Sequence, residues 1–256
     1  KRLQTMRKAM AELEAEAKAK HQQEEAKRKA KAKKSGRKYK PRDKDPKPKD
    51  KAQRNFTDPE SRIMRNSDKA FIQGYNAQAT VDAETHIIVA ADLTNQAADT
   101  THLPEQVKQV RHNTNRNPKA LVADAGYYSA DNLDLLSEQE IEALIPPDRI
   151  RHSQWRTQTP VRGRIPKNAS PRYLMRRKLR TKSGRKRYKL RQTSVEPVFG
   201  YIKEQLGLRR FLVRGIDKAR SWWRFTCAVH NLLKIFRSGI RFQPSPGGLW
   251  VRFPPS

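Results

Sequence analysis

Positive charge is concentrated in one block of this chain, and a single acid lies within it. Residues 151–200 contain sixteen lysines and arginines, and their one carboxylate is Glu196. Glu196, Gly200 and Lys203 lie at positions i, i+4 and i+7, so on a helix the acid and the lysine share a face. We predict that helix over 193–206. Glu196 is then either an ion-pair partner or the centre of a functional surface.

The local pattern favours the functional surface. Arg191 precedes Glu196 and Lys203 follows it, so a carboxylate lies between two cations. A carboxylate can bind a divalent metal ion, and neighbouring cations can bind phosphate oxygens. The sequence therefore indicates a site for a metal ion and a phosphate ligand together.

The charge of the whole chain indicates nucleic acid as the partner. The 256 residues have a net charge of +30, although residues 51–150 are acidic, with ten basic and fifteen acidic residues. Basic flanks around an acidic centre suit an enzyme that binds metal and a polyanion, and an ordinary domain with basic tails has the same profile. No apolar run is long enough to cross a membrane. The single Cys227 excludes internal disulfides and cysteine-rich zinc sites, and indicates a reducing compartment.

Composition divides the chain into segments. Residues 1–34 predict a solvated basic helix, which we expect to be the tail of a missing N-terminal region. Residues 35–53, with proline and alternating charge, predict a disordered basic linker. We expect one catalytic domain over 54–237, with a basic insertion over about 149–187. Residues 238–256 predict a flexible tail.

Within 54–237 the hydrophobic pattern predicts alternating strands and helices. A short extended run ends at Asp58, and two strands follow, joined between Asp82 and Thr85. Asp99 is a good N-cap for a helix, and the next apolar strand ends at Asp124. A helix and a fifth short strand come next, and a late apolar stripe predicts a helix over 216–236.

Several strings resemble insertion-sequence DDE transposases. Tyr188, Arg191, Glu196 and Lys203 match the family signature Y-x2-R-x3-E-x6-K, with four residues instead of three between Arg191 and Glu196. The strings IQGYNAQATVDAETHIIVAADLTN, ALVADAGYYS and HNLLKIFR are similar to the same family. The resemblance covers roughly residues 55–237, and is therefore more specific than the signature alone.

The resemblance implies an α/β fold, a ribonuclease-H-like mixed sheet flanked by helices, with an insertion before the last catalytic helix. In that fold the acids lie on the first strand, at the end of the fourth strand and on a late helix. Those positions correspond to Asp58, Asp124 and Glu196, which would hold Mg²⁺, with Mn²⁺ as a substitute. Asp82 is the rival for the first acid, although it lies in an apparent hairpin connection.

The resemblance also implies a function and its partners. The chain would cut double-stranded DNA at element ends and transfer the strands to target DNA, with Tyr188, Arg191 and Lys203 contacting phosphates. We expect a homodimer or higher multimer on DNA, in the bacterial cytoplasm with the nucleoid and not at a membrane. The alternatives are a non-catalytic DNA-binding fragment, an inactive transposase remnant, and a nuclease of the same fold without strand transfer.

Overall fold

The computed structural model describes residues 2–36, 38–41, 46–65, 70–148, 162–239, 241–245 and 248–252. Over these residues the chain is a mixed α/β protein with six α-helices and four two-stranded sheets. It divides into two compact units, Lys1–Tyr75 and Asn76–Ser256. Among the described residues, no helix has the length and the apolar character needed to cross a bilayer.

The first unit contains one long helix, α1 (Arg2–Lys34). Alanine, lysine, glutamate and glutamine dominate its sequence, and these residues favour a helix without supplying an apolar stripe. Arg54 binds Glu12 at 2.9 Å and Glu16 at 3.0 Å. These ion pairs fasten the segment that follows the helix to the side of α1.

A short antiparallel ribbon completes the first unit. β1 (Arg62–Arg65) pairs with β2 (Phe71–Gly74). Arg62 reaches from β1 to Glu16 at 2.8 Å, so the ribbon is tied to the same acid of α1 that binds Arg54. The predicted boundaries of the first helical segment and of the linker stay predictions.

The second unit begins with the hairpin that the sequence predicted. β3 (Asn76–Val81) pairs antiparallel with β4 (Ile88–Thr94). In the turn, Asp82 accepts hydrogen bonds from the N–H and the hydroxyl of Thr85, at 2.8 and 2.6 Å. Burial opposes the ionisation of Asp82, but these bonds and the charge of Arg116 hold its pKa below its ordinary value. The Asp82 side chain therefore stabilises the turn.

Two helices and a parallel strand pair enclose the main core of the second unit. α2 (Leu103–Thr114) leads to β5 (Ala120–Val122), and α3 (Ala130–Glu138) leads to β6 (Glu142–Leu144). β5 and β6 pair in parallel, which requires a crossover, and α3 supplies it. The buried side chains between these elements are Leu103, Val107, Leu121, Leu136, Ile141 and Ile145.

Two basic helices follow the core. The sequence predicted a basic insertion over 149–187, of which residues 149–161 lie outside the described part. Within the described part of that insertion lies α4 (Pro171–Arg180). α5 (Lys182–Glu204) begins well before the helix predicted over 193–206. All four positions of the family signature therefore lie on one continuous helix.

The corner between α4 and α5 is tight. The hydroxyl of Thr181 accepts a hydrogen bond from the N–H of Gly184 at 2.9 Å and donates one to the carbonyl of Lys178 at 2.8 Å. A Cβ on Gly184 would lie 2.1 Å from the same carbonyl oxygen. Only glycine permits this approach, so the sequence fixes the angle at which α5 leaves the corner.

α6 (Ile216–Arg237) is the apolar helix predicted over 216–236, and it packs on the hairpin. Its buried Trp223 donates through Nε1 to the carbonyl of Gln78 at 3.0 Å. Cys227 is buried on the same face, and burial raises the pKa of its thiol to about 12. Trp222, in contrast, is 39% exposed. Cys227 is therefore a residue of the core.

The outer edge of β4 is bonded to side chains. Asn231 of α6 bonds both the N–H and the carbonyl of Ile88, at 2.8 Å each. Further along the strand, carbonyls of alternate residues accept from side chains: Val89 from Asn113 (2.8 Å), Ala91 from Arg224 (3.4 Å) and Leu93 from Arg220 (3.3 Å). Side chains of α2 and α6 thus satisfy backbone acceptors along this edge.

A second ribbon lies near the end of the sequence. β7 (Arg241–Ser245) pairs antiparallel with β8 (Gly248–Arg252). Both strands fall within residues 238–256, which the sequence predicted as a flexible tail. The boundaries of the predicted catalytic domain and of that tail stay predictions.

Candidate active site

Strand β5 delivers Asp124 to the surface. Leu121 anchors the strand in the core, and its pairing with β6 extends to the bond from the Ala123 N–H to the Leu144 carbonyl, at 3.4 Å. Asp124 follows in an extended conformation, directly before a 3₁₀ turn over Ala125–Tyr127. Its side chain does not cap that turn and is 57% exposed. The carboxylate at this strand end is therefore accessible.

A polar network supports the loop that follows Asp124. A Cβ on Gly126 would lie 2.7 Å from Oδ2 of Asp99, so the loop and this side chain are in close contact. Oδ1 of Asp99 accepts hydrogen bonds from Asn76 at 2.8 Å and from Gln78 at 3.0 Å. The N-cap prediction for Asp99 is wrong, because α2 begins later and another residue occupies its N-cap position.

Tyr127 completes this network. Its hydroxyl donates to Oε1 of Gln78, which is buried on β3. Burial, followed by the charges of Asp99 and Asp124, raises the pKa of Tyr127, so the phenol stays protonated and remains a donor. This network was not predicted from the sequence. The pattern that could have indicated it is the pair Asn76 and Gln78, two polar residues on one face of a strand.

Arg191 joins Asp124 to Glu196. Nη1 of Arg191 lies 3.0 Å from Oδ1 and 3.1 Å from Oδ2 of Asp124, and Nη2 lies 3.2 Å from Oε1 of Glu196. The arginine side chain is 22% exposed, whereas Glu196 is 55% exposed. One guanidinium group therefore brings two of the predicted acids together, one from a strand end and one from a helix.

Tyr188 lies beneath Arg191. Its ring packs against a second core cluster, formed by Leu144, Met175 and Leu179. The guanidinium carbon of Arg191 lies 6.0 Å from the ring centre, at the limit of a cation–π contact. Burial raises the pKa of Tyr188, although the charge of Arg191 opposes this rise. The ring of Tyr188 therefore lies where it can orient the guanidinium group of Arg191.

Lys203 shares the exposed face of α5 with Glu196. The two residues are seven positions apart, which is about two turns or roughly 10 Å along the helix. Both are exposed, whereas Ser194, Val198 and Ile202 form the buried face of the same helix. The lysine and the acid can therefore contact the same extended ligand, as their spacing predicted.

Asp58 belongs to the first unit. It lies in an irregular segment just before β1, not on the strand that the resemblance implied. The hydroxyl of Tyr75 is 2.8 Å from each of its carboxylate oxygens, and the N–H of Ser61 donates to its backbone carbonyl at 3.1 Å. The role of Asp58 beside Asp124 and Glu196 stays a prediction.

Asp124 and Glu196 offer ligand atoms that suit Mg²⁺. This ion is usually bound through one or two carboxylates, with waters and substrate phosphates as its other ligands. Within the described residues, no three His, Cys, Asp or Glu side chains are grouped closely enough to hold a metal ion. Two accessible carboxylates therefore fit an ion that completes its coordination with water and phosphate.

A comparison with protein families identifies the group of proteins to which these elements belong. Residues 16–232 match the family model of the transposase DDE domain. The match covers well over half of the chain and includes Asp124 and the whole of α5, which confirms the resemblance seen in the sequence. No curated protein and no solved structure matches the chain. The chain belongs to the transposase DDE domain family.

Proposed function

We propose that this chain is the catalytic part of a DNA transposase. It would cut DNA at the ends of a mobile element and transfer the freed 3′ ends to target DNA. The observation that supports this proposal is the link through Arg191, which lies 67 positions after Asp124 in the sequence and joins that acid to Glu196. Two accessible carboxylates beside a basic helix suit the chemistry of a phosphodiester, which needs both metal ligands and phosphate-binding cations.

Asp124 and Glu196 are the proposed ligands of the divalent ion, and Asp58 is the proposed third acid. Mg²⁺, or Mn²⁺ in its place, would activate the attacking water or 3′-hydroxyl and neutralise charge at the scissile phosphate. The chain itself positions the two acids. β5 and the network behind Gly126 hold Asp124, while α5 holds Glu196. Such positioning lowers the entropic cost of bringing the reacting groups together.

A ribonuclease-H-like scaffold is part of the proposal. An antiparallel hairpin precedes α2, a strand that ends near an acid follows, and α3 then leads to a parallel strand. This order supports a mixed sheet flanked by helices, with α4 and the start of α5 as the insertion before Glu196. The described strands form four separate two-stranded sheets, so a single mixed sheet is an inference from order and family.

DNA is the proposed ligand of the remaining signature residues. Lys203 is exposed on the same face as Glu196 and would bind a phosphate directly. Arg191 would bind a phosphate in competition with the two acids that it holds in this structure. Tyr188 would act through Arg191, because its partly buried ring packs against the core beneath the guanidinium. The substrates are double-stranded element ends and target DNA, held by a homodimer or higher multimer.

Cleavage and joining of labelled duplexes that carry the terminal sequence of the element would test this function. With Mg²⁺ or Mn²⁺ the wild-type chain is expected to give cut and joined products, and Glu196→Gln is expected to lose both. Glu204→Gln is the matched control, because Glu204 is an exposed acid on the last turn of the same helix. That variant should keep the wild-type products.

The other outcomes would each contradict part of the proposal. Cut product without joined product identifies a nuclease of the same fold. Tight binding by the wild type without any metal-dependent product identifies a non-catalytic DNA-binding fragment or an inactive remnant. Equal loss in the Glu196 and Glu204 variants would mean that neither acid has a specific role in the reaction.

A further inference from the structure

Three lysines form an exposed line along α5 in the direction of Glu196. Lys182, Lys186 and Lys189 are spaced by four and three residues, and we call these three residues the lysine line. Residues at this spacing lie on one face of a helix. Continuing the same spacing along the helix leads to Thr193, Glu196, Gly200 and Lys203.

The lysine line faces away from the protein core. All three of its side chains are exposed, and the buried residues of α5, among them Ser194, Val198 and Ile202, lie on the opposite face of the helix. A Cβ on Gly200 would have no neighbouring atom within 4 Å, so the same face is open beyond Glu196 as well. The line and the acid thus belong to one accessible surface.

Several cations near the lysine line form ion pairs with acids of the protein itself. Four of them form two clusters around acids: Arg172 and Arg176 with Asp148, and Lys178 and Arg187 with Glu142. The lysine line differs, because no member has an ion pair or a side-chain hydrogen bond with another described residue. Its positive charge is therefore available to an anion from outside the chain.

We propose that the lysine line binds successive phosphates of one DNA strand and leads that strand to Asp124 and Glu196. This inference rests on the proposed function and names the surface that brings the substrate to the site. Along the helix axis the lysines are separated by roughly 6 and 4.5 Å, and their flexible side chains can adjust to neighbouring phosphates. Lysine contacts to phosphate carry no base recognition, so the line would bind any sequence.

The fold holds the line in a fixed direction. Lys182 is the first residue of α5 and lies within the tight corner between Lys178 and Gly184. The ion pair from Arg187 to Glu142 ties the second turn of the helix to β6. The positive end of the helix dipole lies at the same end and strengthens the attraction of phosphate. A bound strand would therefore be aligned with α5.

Metal-free DNA binding over a series of salt concentrations would test this proposal. The line variant is Lys182→Gln/Lys186→Gln/Lys189→Gln. The control is Lys108→Gln/Lys119→Gln/Lys218→Gln, which removes three exposed lysines elsewhere and the same total charge. For a labelled duplex, loss of three phosphate contacts should make the slope of log K against log salt shallower by about 2.7 in the line variant. The control should keep the wild-type slope, and neither variant should melt at a lower temperature than the wild type.

Each other result has a definite meaning. An equal change of slope in both triple variants would overturn the proposal, because total charge alone would then explain binding. An unchanged slope in the line variant would overturn it as well. If the slope changes but the wild type never cuts DNA, the lysine line stands and the proposed function fails. If Glu196-dependent cutting occurs with an unchanged slope, the function stands and the line fails.

The direction of the strand can be measured separately. Lys182→Cys and Lys203→Cys would each carry a tethered iron chelate that cuts nearby DNA, and the wild type, whose Cys227 is buried, gives the background. The two positions are roughly 31 Å apart along the helix, so their cuts should be displaced by about nine nucleotides. Cuts that coincide, or cuts from Lys203→Cys alone, would overturn the proposed alignment.

Discussion

Arg191 has two acidic partners in this structure, although the family resemblance implied that it contacts DNA. Its guanidinium group offsets the repulsion between Asp124 and Glu196, which would otherwise raise the energy of two nearby carboxylates. Nε of Arg191 is buried and has no hydrogen-bond partner among the described residues. We expect the arginine to act as the cation of the metal-free site, and to exchange this role for phosphate binding when metal and DNA arrive.

Arg191→Gln is expected to tighten Mn²⁺ binding to the DNA-free chain. The ion would no longer compete with a guanidinium group for the two carboxylates, and an ion pair worth about 1 kcal/mol corresponds to roughly fivefold in affinity. Titration of free Mn²⁺ by electron paramagnetic resonance would measure the change. Arg209→Gln, which breaks the exposed pair with Glu204, is the control and should leave the affinity unchanged. Weaker Mn²⁺ binding by Arg191→Gln would show instead that the arginine organises the acids for the metal ion.

Sequence alone identified the residues that meet at this site, but not the residues that support it. The strand end predicted Asp124, and the family signature predicted Tyr188, Arg191 and Glu196, which the structure brings together. The contact from Tyr127 to Gln78 joins residues 49 positions apart. A contact between such distant residues depends on the packing of β3 against the loop after β5, and a local pattern does not report that packing.

Helices α6 and α5 show where helix prediction from sequence succeeds and where it fails. α6 has a clear apolar stripe, and its predicted range differs from the observed one by a single residue at its end. The first part of α5 has no such stripe, although lysine and arginine favour a helix.

Pro197 inside α5 lacks the N–H that would bond the carbonyl of Thr193. The helix tolerates this loss because Thr193 is exposed and its carbonyl can reach water.

Glu142→Gln is expected to loosen the attachment of α4 and α5 to β6. Hydrogen bonds from Arg187 and Lys178 lower the pKa of Glu142 from 4.5 to about 2. The ion pairs therefore stabilise the fold fully above about pH 4.5, and their contribution is lost as the pH falls through 2. Because the side chain is 35% exposed, the expected loss in the free energy of unfolding at neutral pH is about 1 kcal/mol.

Urea unfolding of the wild type and Glu142→Gln over this pH range would measure the effect. The difference between the two chains should be constant above about pH 4.5 and should shrink toward pH 2. Glu138→Gln, at an exposed acid of α3, is the matched control and should change stability by less than about 0.5 kcal/mol. A difference that does not depend on pH would contradict the role of the ionised carboxylate.

At the scale of the whole molecule, repulsion between like charges opposes folding. The chain has 56 lysines and arginines against 26 acids, so most of its cations have no acid to neutralise them. Such an excess favours binding to a polyanion and destabilises the compact state through self-repulsion. Salt screens this repulsion, with a Debye length that falls from about 10 Å at 0.1 M to about 3 Å at 1 M.

The melting temperature of the DNA-free chain is therefore expected to rise with KCl concentration. The line variant, which has three fewer positive charges, should show a smaller rise, since less repulsion remains to be screened. Scanning calorimetry with a series of KCl concentrations would measure both. A melting temperature that falls with salt would show that ion pairs such as those of Glu142 outweigh the general repulsion.

The side chains bonded to the edge of β4 affect whether another copy of this chain can add a strand there. An open strand edge is a template on which another chain can add a strand, and this is a common route to aggregation. On β4 an incoming strand would first have to displace Asn113, Arg220 and Arg224 from the carbonyls that they occupy. These bonds therefore oppose strand addition between copies of this chain at high local concentration.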